Sequence, residues 1–163
     1  MMEPRIAIRK FVELVIDGYD TENKNTIVEK CESLVHNPEA YITENEMEWL
    51  REFEPEEWNN IAVPLELYDI LITGDKIDEI HSGIEATGVS IPDFPYDKKI
   101  TPKEYFAWVA PYLQQEDLEL LMLGNSLSDE FYLIMVLTGN ADEILRLSEE
   151  LSITCKRPVD YLF

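Results

Sequence analysis

Residues 118–137 read LELLMLGNSLSDEFYLIMVL, and their pattern predicts the central strands of a sheet. It contains two apolar runs, Leu118–Leu123 and Phe131–Leu137, separated by a loop rich in Gly, Asn, Ser and Asp. Two runs of strand-forming residues on either side of a turn-rich loop predict an antiparallel hairpin. The second run is apolar at nearly every position, which predicts a central strand buried on both faces of a sheet.

The segments that flank this hairpin predict helices and a last strand. Thr101-Pro-Lys-Glu104 has the pattern of a capping box with Pro at the first helical position, so a helix is expected to begin there. Asn140 is placed to cap the helix that follows the hairpin, because Asn is among the preferred N-cap residues. Residues 153–156 are expected to form a closing strand.

Residues 76–87 allow two interpretations. Ile77, Ile80 and Ile84 have helical spacing, whereas the short run from Lys76 to His81 fits an edge strand equally well. With a strand at this position, the order from Lys76 onward would be β-α-β-β-α-β, which is the ferredoxin-like arrangement.

The first part of the chain predicts helices. Ile8, Phe11, Val12 and Val15 recur at helical spacing, and a second capping box is expected at Thr43-Glu-Asn-Glu46. We therefore expect an α+β fold in a single domain spanning residues 1–163. Its helical part covers about residues 1–74 and packs with a small, mostly antiparallel sheet in an α+β part at about residues 75–163.

The charge of the chain restricts its partners. Its 163 residues include 34 acidic and 13 basic side chains, a formal net charge of −21. Such an excess repels nucleic acid and anionic membranes, so we expect the protein to bind neither. Hydrophobic residues make up 45% of the chain, which argues against disorder because disorder needs low hydrophobicity as well as high charge.

The N-terminal sequence and the cysteines predict a cytoplasmic protein. The first twenty residues mix charged with apolar side chains and lack the uninterrupted apolar core of a signal peptide. Cys31 and Cys155 lie far apart in the chain and form no CxxC motif, which is typical of a reducing compartment.

Residues 118–156 resemble a bacterial domain family that has no assigned activity. The resemblance lies in Ser128-Asp-Glu-Phe-Tyr132, which opens an apolar strand, and in Asp142-Glu-Ile-Leu-x-Leu-x-Glu-Glu-Leu151, the helix after it. It covers about a quarter of the chain. The resemblance implies a bacterial α+β protein and assigns no catalytic residue.

The sequence contains no strong catalytic or cofactor motif. It has no GxSxG elbow, no GxGxxG and no P-loop pattern, so we expect no cofactor. One set of metal-ligand side chains lies close together in sequence, although it lacks the spacing of a known metal motif. The alternative is that these side chains form a solvated acidic face. The set consists of Asp75, Asp78, Glu79 and His81.

The densest acidic stretch is the candidate binding surface. Aromatic side chains among carboxylates can anchor a basic partner, because rings provide contact area while the charges steer the approach. The alternative is that both rings only cover the core. The residues concerned are Glu44, Glu46, Glu48, Trp49, Glu52, Phe53, Glu54, Glu56 and Glu57.

Two classes of function follow. The first is a non-enzymatic interaction module that binds a basic protein, as immunity proteins or regulators do. The second is a small-ligand-binding protein or an enzyme with its site near Asp78, His81 and the loop from Pro92 to Tyr96. A structural subunit of a larger assembly is a third possibility, and the oligomeric state is left open by the sequence.

Overall fold

A four-stranded antiparallel sheet organises the structure, which is a computed structural model describing residues 2–20, 22–97, 99–124, 127 and 129–161. β2 (Leu118–Leu123) and β3 (Phe131–Leu137) form the predicted hairpin, with Leu118 opposite Leu137 and Met122 opposite Leu133. β1 (Ile72–Gly74) pairs with the free edge of β3, and β4 (Cys155–Lys156) pairs with the end of β2. The strand order is therefore β1-β3-β2-β4.

Helices account for most of the remaining chain. Within the described residues they are α1 (Pro4–Ile16), α2 (Lys24–His36), α3 (Pro38–Glu44), α4 (Trp58–Glu66), α5 (Ile77–Ala86), α6 (Pro102–Gln114), α7 (Thr138–Glu150) and α8 (Pro158–Tyr161). Short 3₁₀ helices lie at Glu48–Glu52, Pro55–Glu57 and Tyr68–Ile70. The predicted α+β fold is confirmed.

The central strand is buried on both faces, as its sequence predicts. Ile134 and Val136 pack into the larger core, which includes α1 and α7. Leu133 and Met135 point the other way, into a second core formed with α5 and α6. Since side chains alternate along a strand, one apolar run supplies both cores.

The strand order explains why helices cover both faces. β1 and β2 flank β3 and are joined through α5 and α6, while β3 and β4 flank β2 and are joined through α7. Parallel strands joined through a helix almost always make right-handed crossovers. The crossover from β1 to β2 and the crossover from β3 to β4 both run in the same direction across the sheet. Because β1 and β3 are antiparallel, two right-handed crossovers place their helices on opposite faces of the sheet. A ferredoxin-like α+β sheet carries its helices on one face, and this sheet departs from it in the position of β4.

The strand of the ambiguous region lies earlier than the sequence suggests. Residues 77–86 form α5, which confirms the helical interpretation, and the strand is β1, inside the part expected to be helical. Ile72 is buried beneath α5, and Gly83 lets that helix approach closely: a Cβ at Gly83 would lie 2.7 Å from Ile72 Cγ2.

Two predicted helix starts have different outcomes. The capping box at Thr101 is present, with the Thr101 hydroxyl accepting from the Glu104 amide and the Glu104 carboxylate accepting from the Thr101 amide. Asn140 does not cap α7, which begins at Thr138. Its side-chain amide instead donates to the Leu14 carbonyl and to Asp17, linking α7 to the end of α1. None of the helices in the described parts of the chain is long and apolar enough to span a bilayer.

Candidate functional site

The acidic segment (residues 44–57) begins where α3 ends. Glu46 adopts a left-handed conformation with φ of 54°, and the Met47 amide donates to the Ile42 carbonyl, which closes the helix end. Thr43 therefore lies in the last turn of α3, and the capping box expected at Thr43–Glu46 is wrong. Two 3₁₀ helices follow, held to the core by the buried side chains of Met47 and Leu50.

Every glutamate of the acidic segment is exposed. Glu57 accepts a hydrogen bond from the Asn60 amide at 3.4 Å. The others make no side-chain hydrogen bond or ion pair with any residue that the structure describes. Arg51 is the one base of the segment, and it is paired with Glu39 at 2.8 Å. The carboxylates without a partner on the described surface are those of Glu44, Glu46, Glu48, Glu52, Glu54 and Glu56.

The two aromatic residues of the acidic segment have different environments. Phe53 is half-buried against the larger core, and its carbonyl accepts a hydrogen bond from Trp58 Nε1 at 3.1 Å. Trp49 is 39% exposed and meets Phe53 edge to face, with ring centroids 6.3 Å apart. An exposed indole thus meets a half-buried ring, within a segment whose other exposed side chains are mostly unpartnered carboxylates.

His81 and the loop at residues 92–96 do come together. His81 is 1% exposed, with Nε2 2.9 Å from the Pro92 carbonyl and Nδ1 2.8 Å from the Tyr105 hydroxyl. A carbonyl can only accept, so Nε2 carries the proton and Nδ1 accepts from Tyr105. Burial raises the pKa of Tyr105, and the nearby Glu85 charge raises it further, which keeps the hydroxyl a donor.

This arrangement makes His81 a structural residue. Both ring nitrogens are hydrogen-bonded, and the imidazole is surrounded by the rings of Phe94, Tyr105 and Trp108 at centroid distances of 5.6 to 5.8 Å. Neither nitrogen is free to ligate an ion or take a proton from a substrate. A histidine on the apolar stripe of a helix is therefore explained by packing here.

The carboxylates of Asp75, Asp78 and Glu79 form no hydrogen bond or ion pair with His81, whereas Glu85 Oε1 lies 3.9 Å from its Nε2. Asp75 and Glu79 are exposed, and Asp78 accepts from the Glu79 amide at the start of α5. Across the described ranges, no three His, Cys, Asp or Glu side chains are placed to hold a metal ion.

Two features are not recognisable in the sequence. Glu32 is buried between Arg5 and Arg9 of α1, with Arg5 Nε 3.3 Å from Glu32 Oε2 and Arg9 in direct contact. An apolar cavity also lies between α6, β2 and α8. The Arg5–Glu32–Arg9 contacts and the cavity both form between elements that are distant in the chain, so no local sequence pattern predicts them.

Comparisons with protein-family models, with curated proteins and with solved structures give no match. The resemblance of residues 118–156 to a bacterial domain family thus gains no support.

Proposed function

We propose that this protein is a non-enzymatic interaction module, and that the acidic segment binds a basic protein partner. The observation that carries the proposal is an exposed indole, Trp49, among six glutamates that have no partner on the described surface. Tryptophan is highly buried on average in folded proteins, and it is enriched at binding hot spots.

The charges give the proposed surface its selectivity. Free carboxylates attract a basic partner over about a Debye length, roughly 8 Å at physiological salt, and so raise the rate of association. Arg51, the one base within the segment, is already paired with Glu39 and does not neutralise the segment. Once contact is made, Trp49 supplies the desolvated centre of the interface, and the rim carboxylates pair with Lys or Arg of the partner.

The firm packing of the segment supports binding without large rearrangement. Met47 and Leu50 are buried, and Phe53 is fixed by the Trp58 hydrogen bond to its carbonyl. A preorganised surface loses less conformational entropy on binding than a mobile loop does.

The proposal places the protein in the cytoplasm, in an immunity-like or regulatory role. The cysteines support this location: Cys31 and Cys155 are both free and buried, as is common where thiols stay reduced. The alternative of a ligand or catalytic site near Asp78, His81 and the loop at residues 92–96 has less support, because both nitrogens of His81 are engaged.

A pair of charge-matched variants tests the proposal. Glu48→Lys/Glu52→Lys/Glu56→Lys reverses three exposed charges of the acidic segment, and Asp75→Lys/Glu79→Lys/Asp97→Lys reverses three exposed charges elsewhere. Each is used with the wild type as bait, and captured proteins are measured by surface plasmon resonance at several salt concentrations. We expect a partner of high isoelectric point whose association slows at least about tenfold with the first variant and with added salt, and much less with the second.

The variant Trp49→Ala distinguishes the contribution of direct contact from that of electrostatic attraction. We expect this variant to speed dissociation by about tenfold or more while association changes little, because an interface aromatic acts after encounter. A captured partner that binds the first charge variant and the Trp49→Ala variant as well as the wild type would contradict the proposal.

A further inference from the structure

The cavity between α6, β2 and α8 has the properties of a ligand site. Its volume is about 180 Å³, and its walls include Phe106, Val109 and Leu113 of α6, Leu118 and Leu120 of β2, and Val159 of α8. Phe106, Val109, Leu113 and Leu120 are each at most 5% exposed, so the inner wall of the space consists of well-packed apolar side chains. It lies on the opposite face of the sheet from the larger core and is made by the second core and α8.

The lining is a poor environment for water. A buried water needs two to four polar partners, and cavities lined by aliphatic and aromatic side chains stay dry and accept apolar guests. Benzene-sized molecules enter apolar cavities of about 150 Å³. A space of about 180 Å³ therefore has room for one aromatic ring or a short alkyl chain.

The charged residues at the rim are already paired with each other. Arg157 Nε lies 2.5 Å from Glu119 Oε1, and Arg157 Nη2 lies 2.9 Å from Asp142 Oδ1. The guanidinium is thus not available to a ligand carboxylate, and the charges of the two lining residues Arg157 and Glu119 cancel. A charged ligand would lose its hydration without gaining a partner inside.

We propose that this cavity binds a small uncharged apolar molecule with the dimensions of a single substituted benzene ring. The ligand fills space that the side chains leave open and restores the dispersion contacts that the walls lack. Its polar substituent, if it has one, lies at the rim near Gln114 and Arg157. This site is separate from the acidic segment, and its existence does not depend on the proposed protein partner.

Toluene, benzoate and benzylamine test the site and its preference for a neutral ligand. The methyl groups of Val109, Leu113, Leu118 and Leu120 are followed by NMR while each compound is added to the full chain. We expect saturable shifts with toluene at these methyls, and at least tenfold weaker binding of the two charged compounds. Absence of saturable shifts up to the solubility limit of toluene, or equal binding of benzoate, would overturn the proposal.

Two substitutions on α6 provide the matched control. Ala110 lines the cavity, whereas Ala107 lies on the exposed face of the same helix. Ala110→Leu should fill the space and weaken toluene binding at least tenfold, while Ala107→Leu should leave it unchanged. Val159→Phe fills the cavity from the α8 side and replaces Ala110→Leu if that variant does not fold. If the folded variant, Ala110→Leu or Val159→Phe, still binds toluene as the wild type does, toluene binds outside this cavity and the proposal is wrong.

Discussion

The hydrogen bond from Tyr105 to His81 joins α6 to α5 inside the second core. Its loss leaves Nδ1 of a fully buried imidazole without a donor, because His81 is 1% exposed and its Nε2 proton is committed to the Pro92 carbonyl. We expect Tyr105→Phe to lower the free energy of unfolding by about 1–3 kcal/mol, measured by urea denaturation. Tyr112→Phe on the same helix is the control and should change it by less than about 0.5 kcal/mol, since the Tyr112 hydroxyl has no partner among the described residues. Equal effects of the two changes would refute this role of Tyr105.

Glu32 supplies a pH-dependent part of the stability. Burial by itself would raise the pKa of Glu32, but the hydrogen bonds and charges of Arg9 and Arg5 outweigh it and lower that pKa below its ordinary value. A lowered folded-state pKa stabilises the protein above the unfolded glutamate pKa of about 4.3, and this stabilisation is lost as the pH falls through the folded-state pKa.

Glu32→Gln tests this dependence. At about pH 7 the wild type should be more stable than the variant, and the difference should shrink steadily as the pH is lowered towards about 3. Urea denaturation across this range gives both curves. A difference that stays constant with pH would mean that the Arg5–Glu32–Arg9 contacts act through packing alone.

At the level of single helices, replacing Gly83 or Gly139 by alanine should change the free energy of unfolding in opposite directions. A Cβ at Gly83 in α5 would lie 2.7 Å from the Cγ2 methyl of Ile72, whereas a Cβ at Gly139 in α7 would have no atom within 4 Å. Alanine favours a helix over glycine by up to about 1 kcal/mol. We expect Gly139→Ala to raise the free energy of unfolding by about 0.4–1 kcal/mol and Gly83→Ala to lower it by about 1–3 kcal/mol. Thermal and urea unfolding measure both, and stabilisation by Gly83→Ala would show that α5 can move away from β1.

The elements that the sequence predicts are those with local signals. The hairpin follows from composition and spacing, and the start of α6 follows from the capping box at Thr101. β1 has no such signal, because its three residues form a strand only through pairing with distant β3, where Thr73 lies opposite Tyr132. Asn140 misleads for a similar reason: its amide binds the end of α1, which is near in space and far in the chain.

Of the candidate site, the sequence predicts the features with local signals and misses those formed by tertiary contacts. The exposure of the acidic segment follows from its glutamates, which cannot be buried in numbers without partners. The inward orientation of His81 depends on Tyr105 and Pro92, and the walls of the cavity come from three elements. The orientation of His81 and the cavity can be seen only in the tertiary structure. The sequence of each contributing element, taken alone, predicts only a helix or strand with an apolar face.

For the molecule as a whole, the net charge of −21 opposes the folded state. Many bases are already engaged in ion pairs, among them Arg5, Arg9, Lys10, Arg146 and Arg157, and numerous acids remain without a counter-charge. Salt screens repulsion between exposed charges that are farther apart than the Debye length. We therefore expect Tm to rise as sodium chloride is added from low to physiological concentration, as measured by calorimetry.

The triple lysine variant of the acidic segment provides the comparison for this effect. Glu48→Lys/Glu52→Lys/Glu56→Lys should have a higher Tm than the wild type at low salt and a smaller response to added salt, because its net charge is less negative. A wild-type Tm that falls with salt would indicate that ion pairs contribute more to stability than the excess of acid costs.

The position of β3 has a further consequence for how the molecule behaves when it opens. Phe131–Leu137 is an uncharged heptapeptide of strand-forming residues, the composition from which cross-β fibrils nucleate. In the native sheet it is enclosed by β1 and β2, and the outermost strands offer only three and two residues to a neighbouring molecule. Short borders of this kind give an incoming chain little backbone to extend. The central position of β3 therefore limits aggregation, because its backbone is already paired on both sides. We expect aggregation to begin when partial unfolding exposes β3.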